Sequence, residues 1–314
     1  MLMDLLLVAG GLVLLVFGGD ALVKGAVNLS LRLGIPALIV GLTVVAFGTS
    51  APELLVSLQA ALAGQAGIAL GNVVGSNIVN ILLILGLPAL ITTIHSSQSD
   101  TTRSYWVMIA TTLLLIALSV GGLLIWWHGL ILLIGLGLMI WDNIRIAKAH
   151  RASLDDADGL EGVDAHMAMW KILVFIVLGL IALGIGARLL VDGAVNIARA
   201  IGVSETVIGL TLVAIGTSLP ELVTSIVAAM KKQADVAMGN VIGSNIFNIL
   251  AILGITAVIS PLPVGENFMA FDYWVMLGVA ALLLPFAVLK RDITRWVGVL
   301  FVGLYVAYAI ALVS

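Results

Sequence analysis

The feature that most constrains this chain is a series of apolar stretches, each about 20 residues long, separated by short polar segments. Because roughly 20 apolar residues suffice for a helix to cross a bilayer, each stretch can be a transmembrane helix. Hydrophobic residues make up 62% of the 314 residues and charged residues only 10%, too few to cover a soluble fold. The sequence therefore predicts an all-α polytopic membrane protein and excludes a soluble enzyme, a nucleic-acid-binding protein and a disordered scaffold. The ten predicted spans are 3–24, 37–62, 68–93, 104–125, 129–147, 169–190, 205–229, 236–260, 271–289 and 295–313.

Several kinds of chemistry have no motif in this sequence. The chain has no cysteine, so it has neither disulfides nor thiolate metal sites. Its four histidines form no HExxH pair, and no GxxxxGK[ST] segment is present, which excludes transport driven by ATP hydrolysis within this chain. The hydrophilic stretch 148–168 is too short for a nucleotide-binding domain, and we expect a solvated linker there. We expect no cofactor, no nucleotide and no enzymatic activity.

The positions of Lys and Arg predict the orientation of the spans. The N-terminus lacks the basic region of a signal peptide and is interpreted as a retained first span. With that terminus outside, only Arg188 and Arg199 fall on the outer side. Both termini are therefore predicted to be extracytoplasmic, in the plasma membrane of a prokaryote. The basic residues on the inner side are Lys24, Arg32, Arg103, Arg145, Lys148, Arg151, Lys171, Lys231, Lys232, Lys290, Arg291 and Arg295.

The chain contains an internal repeat. Residues 41–86 align without a gap with residues 209–254, at a constant spacing of 168 positions. About 30 of the 46 aligned pairs are identical. Each half holds five predicted spans, and because five is odd the second half enters the membrane from the opposite side. The sequence thus predicts two inverted five-helix repeats, 1–147 and 169–314, joined by a cytoplasmic linker, 148–168. Such inverted repeats are typical of secondary transporters, which bind substrate between the repeats near the midplane.

Two acidic residues lie in the middle of predicted spans, Glu53 and Glu221, at equivalent positions of the repeat. A carboxylate inside a membrane costs several kcal/mol and marks a functional site by default. The alternative is a structural ion pair, but no Lys or Arg lies at mid-span to form it. We therefore predict that a bound cation is the partner of these two acids.

Oxygen-bearing side chains accompany both acids. Ser50 and Ser218 lie three residues before Glu53 and Glu221, on the same helical face. Ligation by oxygen alone suits hard cations such as Ca²⁺ and Na⁺, and two carboxylates match the charge of one Ca²⁺. The other candidate ligands are hydroxyl and amide side chains of the two repeats: Thr49, Thr217, Ser76, Ser244, Asn80 and Asn248.

Prolines interrupt both acid-bearing spans. Pro52 and Pro220 have no backbone N–H, so carbonyl groups about one turn earlier lose their helical donor. These carbonyls lie around Ala46–Gly48 and Ala214–Gly216, and a dehydrated cation is a suitable partner for them inside a membrane.

The doubled motifs resemble a known family. GTSAPE (48–53) with GNVVGSNIVN (71–80), repeated as GTSLPE (216–221) with GNVIGSNIFN (239–248), is similar to the two α-repeats of the sodium/calcium exchanger family, part of the cation/Ca²⁺ antiporter superfamily. The chain resembles the minimal prokaryotic type, because no regulatory domain interrupts the central loop. The resemblance implies ten helices, with spans two, three, seven and eight forming a core across which spans one and six slide.

The resemblance also implies roles for individual residues. Glu53 and Glu221 correspond to the acids that bind Ca²⁺ and also bind Na⁺. Ala46 and Ala214 correspond to positions that contribute carbonyl oxygen. Asn248 departs from relatives that have Asp there, and a neutral amide argues against proton or K⁺ involvement at that position. The remaining implied ligands are Thr49, Ser50, Ser76 and Asn80 in the first repeat and Thr217, Ser218 and Ser244 in the second.

These inferences predict an antiporter that exchanges Na⁺ for Ca²⁺, with the two ions and the lipid bilayer as its partners. The nearest alternative is a Ca²⁺/H⁺ antiporter of the same fold, because two desolvated carboxylates can carry two protons. That branch usually has its acid in a GNAxE-like segment, whereas this chain has GTSxPE twice. A cation channel and an intramembrane protease are more distant alternatives, and the protease motif GxGD is absent. The sequence leaves stoichiometry and oligomeric state open, a monomer included.

Overall fold

The computed structural model describes residues 2–155, 167–202 and 216–313, and these residues are helical almost throughout. Short π-helical turns occur at Gly41–Val45, Asn248–Leu253 and Phe268–Asp272, a 3₁₀ turn at Ser96–Gln98, and two-residue strands at Leu123–Leu124 (β1) and Leu262–Pro263 (β2). The α-helices are α1 (Leu2–Leu33), α2 (Ala37–Val40), α3 (Ala46–Thr49), α4 (Ala51–Leu62), α5 (Ala66–Leu82), α6 (Gly86–Ile91), α7 (Thr102–Ser119), α8 (Trp126–Asp155), α9 (Met169–Ala200), α10 (Leu219–Met230), α11 (Ala234–Phe247), α12 (Gly254–Ile259), α13 (Tyr273–Leu282), α14 (Leu284–Ala287) and α15 (Arg295–Val313).

The described residues include seven helices long and apolar enough to cross a membrane, or eight if the bent pair Ala37–Thr49 and Ala51–Leu62 forms one span. Two further apolar helices, Leu219–Met230 and Arg295–Ala311, are shorter. The predicted span 205–229 falls partly on residues 203–215, which lie outside the described residues. The fold is therefore an all-helical polytopic membrane fold, as the sequence predicts.

The first and sixth predicted spans are longer in the structure than in the sequence analysis. Both α1 and α9 contain 32 residues, about 48 Å of helix against a hydrocarbon core of about 30 Å. These helices continue beyond residues 24 and 190, where the predicted spans end near Lys24 and Arg188. Long basic side chains can extend toward the membrane surface, so they do not require the helix to end. Helices of this length must tilt or project from the bilayer.

Glycines bring α1 and α9 into backbone contact. A Cβ at Gly11 would lie 2.7 Å from the Gly186 carbonyl oxygen, and a Cβ at Gly18 would lie 3.0 Å from that of Gly179. Residues later in α1 thus contact residues earlier in α9, so the two helices are antiparallel. Small residues allow such close packing between helices in a membrane, where the hydrophobic effect does not drive association.

The most buried helices are the two that carry the GNxxGSN motifs. In an apolar stretch of 18 residues within each of the spans Ala66–Ile91 and Ala234–Ile259, 78% and 83% is buried inside the protein. Gly239 and Gly243 of α11 lie against the segment 37–49, since Cβ atoms there would come within 2.7 Å of Leu38 O and 2.6 Å of Leu42 O. The GNxxGSN helices therefore form the centre of the molecule rather than its lipid-facing surface.

The first part of the predicted linker is helical. Helix α8 continues to Asp155, beyond residue 147, where the predicted span ends. Polar residues such as Lys148 and His150 are compatible with a helix that extends into water. Residues 156–166 of the predicted linker lie outside the described residues.

Two backbone pairings connect the loops of the two halves. Strand β1 pairs antiparallel with β2, and Ile94 forms an isolated antiparallel bridge with Ile293. Beside this bridge, His95 Nδ1 lies 2.9 Å from Asp292 Oδ2. Partial burial acts to raise the pKa of Asp292, but hydrogen bonds from Ser97 and His95 outweigh it and the pKa lies below its ordinary value. The all-α prediction did not include these short β contacts, which involve too few residues to leave an alternating pattern.

Two carboxylates at the start of broken helices

Each candidate acid lies in the first turn of a helix, and for Glu53 this helix is the second part of a bent span. The chain bends by 46° between the helical segments Ala37–Thr49 and Ala51–Leu62, and Glu53 lies in the first turn of α4. Glu221 has the same position in α10. Proline is the second residue of both helices, a position in the first turn where it is tolerated because the N–H groups there have no helical partner. The positive end of the helix dipole is thus directed toward each carboxylate.

Each carboxylate accepts a hydrogen bond from a serine of the other half. Ser50 Oγ donates to Glu221 Oε1 at 2.9 Å, and Ser218 Oγ donates to Glu53 Oε1 at 3.1 Å. Both serines are N-cap residues, yet neither side chain caps its own helix. The two hydroxyl groups are directed toward the opposite acid instead, and the two half-helices therefore meet at a shared site.

The second oxygen of each carboxylate has no donor. Glu53 and Glu221 are each 1% exposed, and their Oε2 atoms are buried without a hydrogen-bond partner. The Oδ1 atoms of Asn80 and Asn248 are buried and unpartnered in the same way. The ion pairs found in the described part of the chain include neither acid. Because buried polar atoms are nearly always paired, these four acceptor oxygens indicate a missing electropositive partner.

Neutral oxygens lie around the acids. Ser244 Oγ is 3.1 Å from Ser50 Oγ. Thr49 Oγ1 is 3.3 Å from both the Ala46 carbonyl oxygen and Asn240 Oδ1. Ser76 lies on α5 one turn before Asn80 and is also buried. The described residues contain no cluster of three or more His, Cys, Asp or Glu side chains, so any cation here would be held by two carboxylates and neutral oxygens.

One of the expected free carbonyl groups has a donor. The Ala46 carbonyl accepts the Ser50 N–H at 3.0 Å and also lies near the Thr49 hydroxyl. Pro52 lacks the N–H that would bond to the carbonyl four residues earlier, that of Gly48, which is the last residue of the predicted range. Thr217 is partly exposed. Ala214 lies outside the described residues.

The structure adds four asparagines that support the site. Asn72 Nδ2 donates to the Glu53 carbonyl oxygen at 3.1 Å, and Asn240 Nδ2 donates to that of Glu221 at 3.2 Å. Asn77 and Asn245 lie between the two halves and bond to Asn248 and Asn80. Asn77 and Asn245 have no role among the predicted site residues, although both are repeated at the same spacing of 168. Repetition of a buried amide was the signal that could have identified them.

Comparison with known proteins places this architecture in a family. The family model described as sodium/calcium exchanger protein matches residues 3–143 and 171–314. The sodium/calcium exchanger MaX1 of Methanosarcina acetivorans is 34% identical over 336 aligned residues, 96% of each chain. The inner membrane protein YrbG of Escherichia coli is 38% identical over 317, covering 98% of this chain and 96% of its own. A solved structure of the sodium-calcium exchanger NCX_Mj, soaked with Na⁺ and Sr²⁺, has a TM-score of 0.83 at 34% identity and covers 100% of this chain and 98% of its own. This chain therefore belongs to the sodium/calcium exchanger protein family.

Proposed function

We propose that this protein is a secondary active antiporter that exchanges Na⁺ for Ca²⁺. The observation that carries the proposal is the pair of buried carboxylates, Glu53 and Glu221, whose Oε2 atoms have no donor. A site of acceptor oxygens without a Lys or Arg partner requires a cation, and an all-oxygen site selects hard cations. The NCX_Mj structures, obtained with Na⁺ and Sr²⁺ or with Na⁺ and Ca²⁺, concern extracellular ion exchange and binding-site occlusion, which supports the same ions here.

The proposed ligands are the oxygens gathered between the half-helices. The two acids supply the charge, and the amide oxygens of Asn80 and Asn248 supply two further unpartnered acceptors. The remaining proposed ligands are the hydroxyl groups of Thr49, Ser50, Ser76, Thr217, Ser218 and Ser244 and the carbonyl groups of Ala46 and Ala214. Because Ca²⁺ prefers six to eight oxygens, each ion would use only part of this set.

We further propose ten membrane-spanning helices in two inverted repeats, 1–147 and 169–314, joined by a cytoplasmic linker at 148–168. Two observations support this arrangement. The family model matches one range in each half, and the two serine–carboxylate bonds are counterparts related by the spacing of 168. The pairing of Ile94 with Ile293 supports placing both loops on the same side of the membrane, and the distribution of Lys and Arg supports the orientation with both termini outside. In a prokaryotic cell the protein would lie in the plasma membrane.

The charge of the site explains how exchange could be coupled. One Ca²⁺ neutralises two carboxylates, and so do two Na⁺ ions. The ions therefore compete for the same oxygens, and the long helices α1 and α9 would slide across the core to expose the site to each side in turn. If more than two Na⁺ bind in each cycle, net charge moves across the membrane.

Transport assays in proteoliposomes test this function. Vesicles loaded with Na⁺ and diluted into Na⁺-free buffer containing ⁴⁵Ca²⁺ should accumulate Ca²⁺, and K⁺-loaded vesicles should not. Parallel vesicles with a pH gradient in place of the Na⁺ gradient test the Ca²⁺/H⁺ alternative. Uptake driven only by the pH gradient would contradict Na⁺/Ca²⁺ exchange, and Ca²⁺ flux without any counter-ion would indicate a channel.

A further inference from the structure

Two hydrogen-bonded pairs of amides include the proposed ligands Asn80 and Asn248. Asn248 Nδ2 donates to Asn77 Oδ1, and Asn80 Nδ2 donates to Asn245 Oδ1, both at 3.0 Å. All four residues are at most 2% exposed. Asn77 and Asn80 belong to α5, whereas Asn245 and Asn248 belong to the span that begins with α11. Each proposed ligand amide is therefore held by an amide from the other half of the chain.

The contacts of Asn77 and Asn245 with other groups fix whether the oxygen or the nitrogen of each side-chain amide faces its partner asparagine. Asn77 Nδ2 lies 3.3 Å from the Asn245 carbonyl oxygen, which can only accept, so the nitrogen of Asn77 must be on that side. Its Oδ1 then faces Asn248, and only a nitrogen of Asn248 can donate to it. Asn245 Nδ2 lies 3.5 Å from the sulfur of Met108, a thioether that has no proton to donate. Its Oδ1 consequently faces Asn80.

This orientation determines what Asn80 and Asn248 present to an ion. Their NH₂ groups are held by the two partner amides, and their Oδ1 atoms remain buried without a donor. An amide released from its partner could rotate and direct its NH₂ group, the electropositive end, at the cation. Holding the oxygen in place before binding also avoids the cost of ordering it during binding.

From this geometry we infer that Asn77 and Asn245 are positioning residues, which keep the amide oxygens of Asn248 and Asn80 directed at the transported cation. The inference rests on the proposed function. It predicts a crossed pattern: Asn77 acts through Asn248 of the second half, and Asn245 acts through Asn80 of the first. Loss of an outer-shell partner typically lowers metal affinity about tenfold or more, so Asn77→Ala should lower Ca²⁺ affinity by about that factor.

Double-mutant cycles distinguish positioning from a general structural role. Ca²⁺ affinity is measured as the Ca²⁺ concentration that gives half-maximal Na⁺-driven uptake and, independently of transport, as the Ca²⁺ dependence of the thermal midpoint in detergent. In an Asn248→Ala background, Asn77→Ala should have almost no further effect. In an Asn80→Ala background it should retain its full effect of about tenfold. Asn245→Ala should lower Ca²⁺ affinity in the Asn248→Ala background but have almost no further effect in the Asn80→Ala background.

The pseudo-symmetry supplies the matched controls, because each single variant is the control for the other cycle. Equal effects of Asn77→Ala in the wild-type, Asn80→Ala and Asn248→Ala proteins would show a merely structural role and overturn the inference. Where an alanine variant does not fold, the same cycle with Asn77→Ser or Asn245→Ser gives the test. A wild-type protein that binds neither ion would overturn the proposed function as well, whereas normal exchange with additive cycles would overturn only the positioning role.

Discussion

At the scale of single residues, the site is defined by what its carboxylates lack. Glu53 and Glu221 each accept one serine hydroxyl at Oε1 and nothing at Oε2. Helix N-termini and two hydroxyl groups only partly compensate for burying two negative charges. Because the proposed cations would supply further stabilisation, we expect the stability of this protein to depend on the ions in the buffer.

Glu53→Gln should remove the stabilisation by Ca²⁺ without destabilising the ion-free protein. Glutamine keeps an oxygen that can accept from Ser218 but removes a buried charge. At a Ca²⁺ concentration 100 times its dissociation constant, binding stabilises a protein by about 2.7 kcal/mol. We expect thermal unfolding in detergent to show a Ca²⁺-dependent shift for the wild type and none for the variant, with equal or higher midpoints for the variant in chelator.

Glu266→Gln is the matched control, because Glu266 is exposed at the start of the helical segment after β2. It should retain the full Ca²⁺-dependent shift and Na⁺-driven uptake. A normal shift in Glu53→Gln would show that this carboxylate does not hold the ion.

At the scale of elements, helix breaks and close helix contacts place the oxygens. The break at Ser50 turns a span into two segments and puts Glu53 at a helix start rather than at a helix centre. A π-helical turn at Asn248–Leu253 follows α11, and such turns are frequent at functional sites. Gly243 brings α11 so close to the segment 37–49 that Ser244 reaches Ser50.

Gly243→Ala should separate these two elements and weaken ion binding. The added Cβ would lie 2.6 Å from the Leu42 carbonyl oxygen and 2.7 Å from Ala46 Cβ, so backbone must move. Overpacking of this kind costs about 1–3 kcal/mol. We expect a lower thermal midpoint and a Ca²⁺ affinity reduced several-fold, measured by uptake.

Gly137→Ala provides the comparison within α8, since no described atom lies within 4 Å of the added Cβ. Alanine is the better helix former by about 1 kcal/mol, so this variant should be as stable as the wild type or more stable. An unchanged Ca²⁺ affinity in Gly243→Ala would indicate that the α11 contact does not set the site geometry.

At the scale of the whole molecule, α1 and α9 form an antiparallel pair that contacts α10. Short backbone pairings connect loops of the two halves elsewhere. The contact between the pair and the core includes Gly19 of α1, where a Cβ would lie 3.1 Å from Val223 Cγ1 of α10. The bridge between Ile94 and Ile293, by contrast, connects two loops of the core. If α1 slides during transport, only the first of these contacts should change.

Cross-linking tests this distinction, and the absence of cysteine gives a clean background. A disulfide between Gly19→Cys and Val223→Cys should stop Na⁺-driven Ca²⁺ uptake, and a reductant should restore it. A disulfide between Ile94→Cys and Ile293→Cys, formed to the same extent on a gel, should leave uptake at the cysteine-free level. Full activity of the Gly19–Val223 cross-linked protein would mean that α1 does not slide across α10.

The sequence by itself determined the class of the protein, the internal repeat and the identity of the two central acids. These properties depend on composition and on local order along the chain: apolar length decides membrane insertion, and a carboxylate in an apolar run is conspicuous wherever it lies. The family resemblance followed from the same local motifs.

Only the tertiary structure decided how the site is connected. The partner of Ser50 is 171 residues away, and the partner of Asn248 is likewise 171 residues away. Ser50 lies three residues before Glu53 on the same helical face, yet its hydroxyl bonds to Glu221. The lengths of α1 and α9 were also visible only in the structure, because a basic residue within a helix can lie at the membrane surface or in water. Contacts between the two halves depend on how the helices pack, and no property of a single segment encodes the partner that it meets.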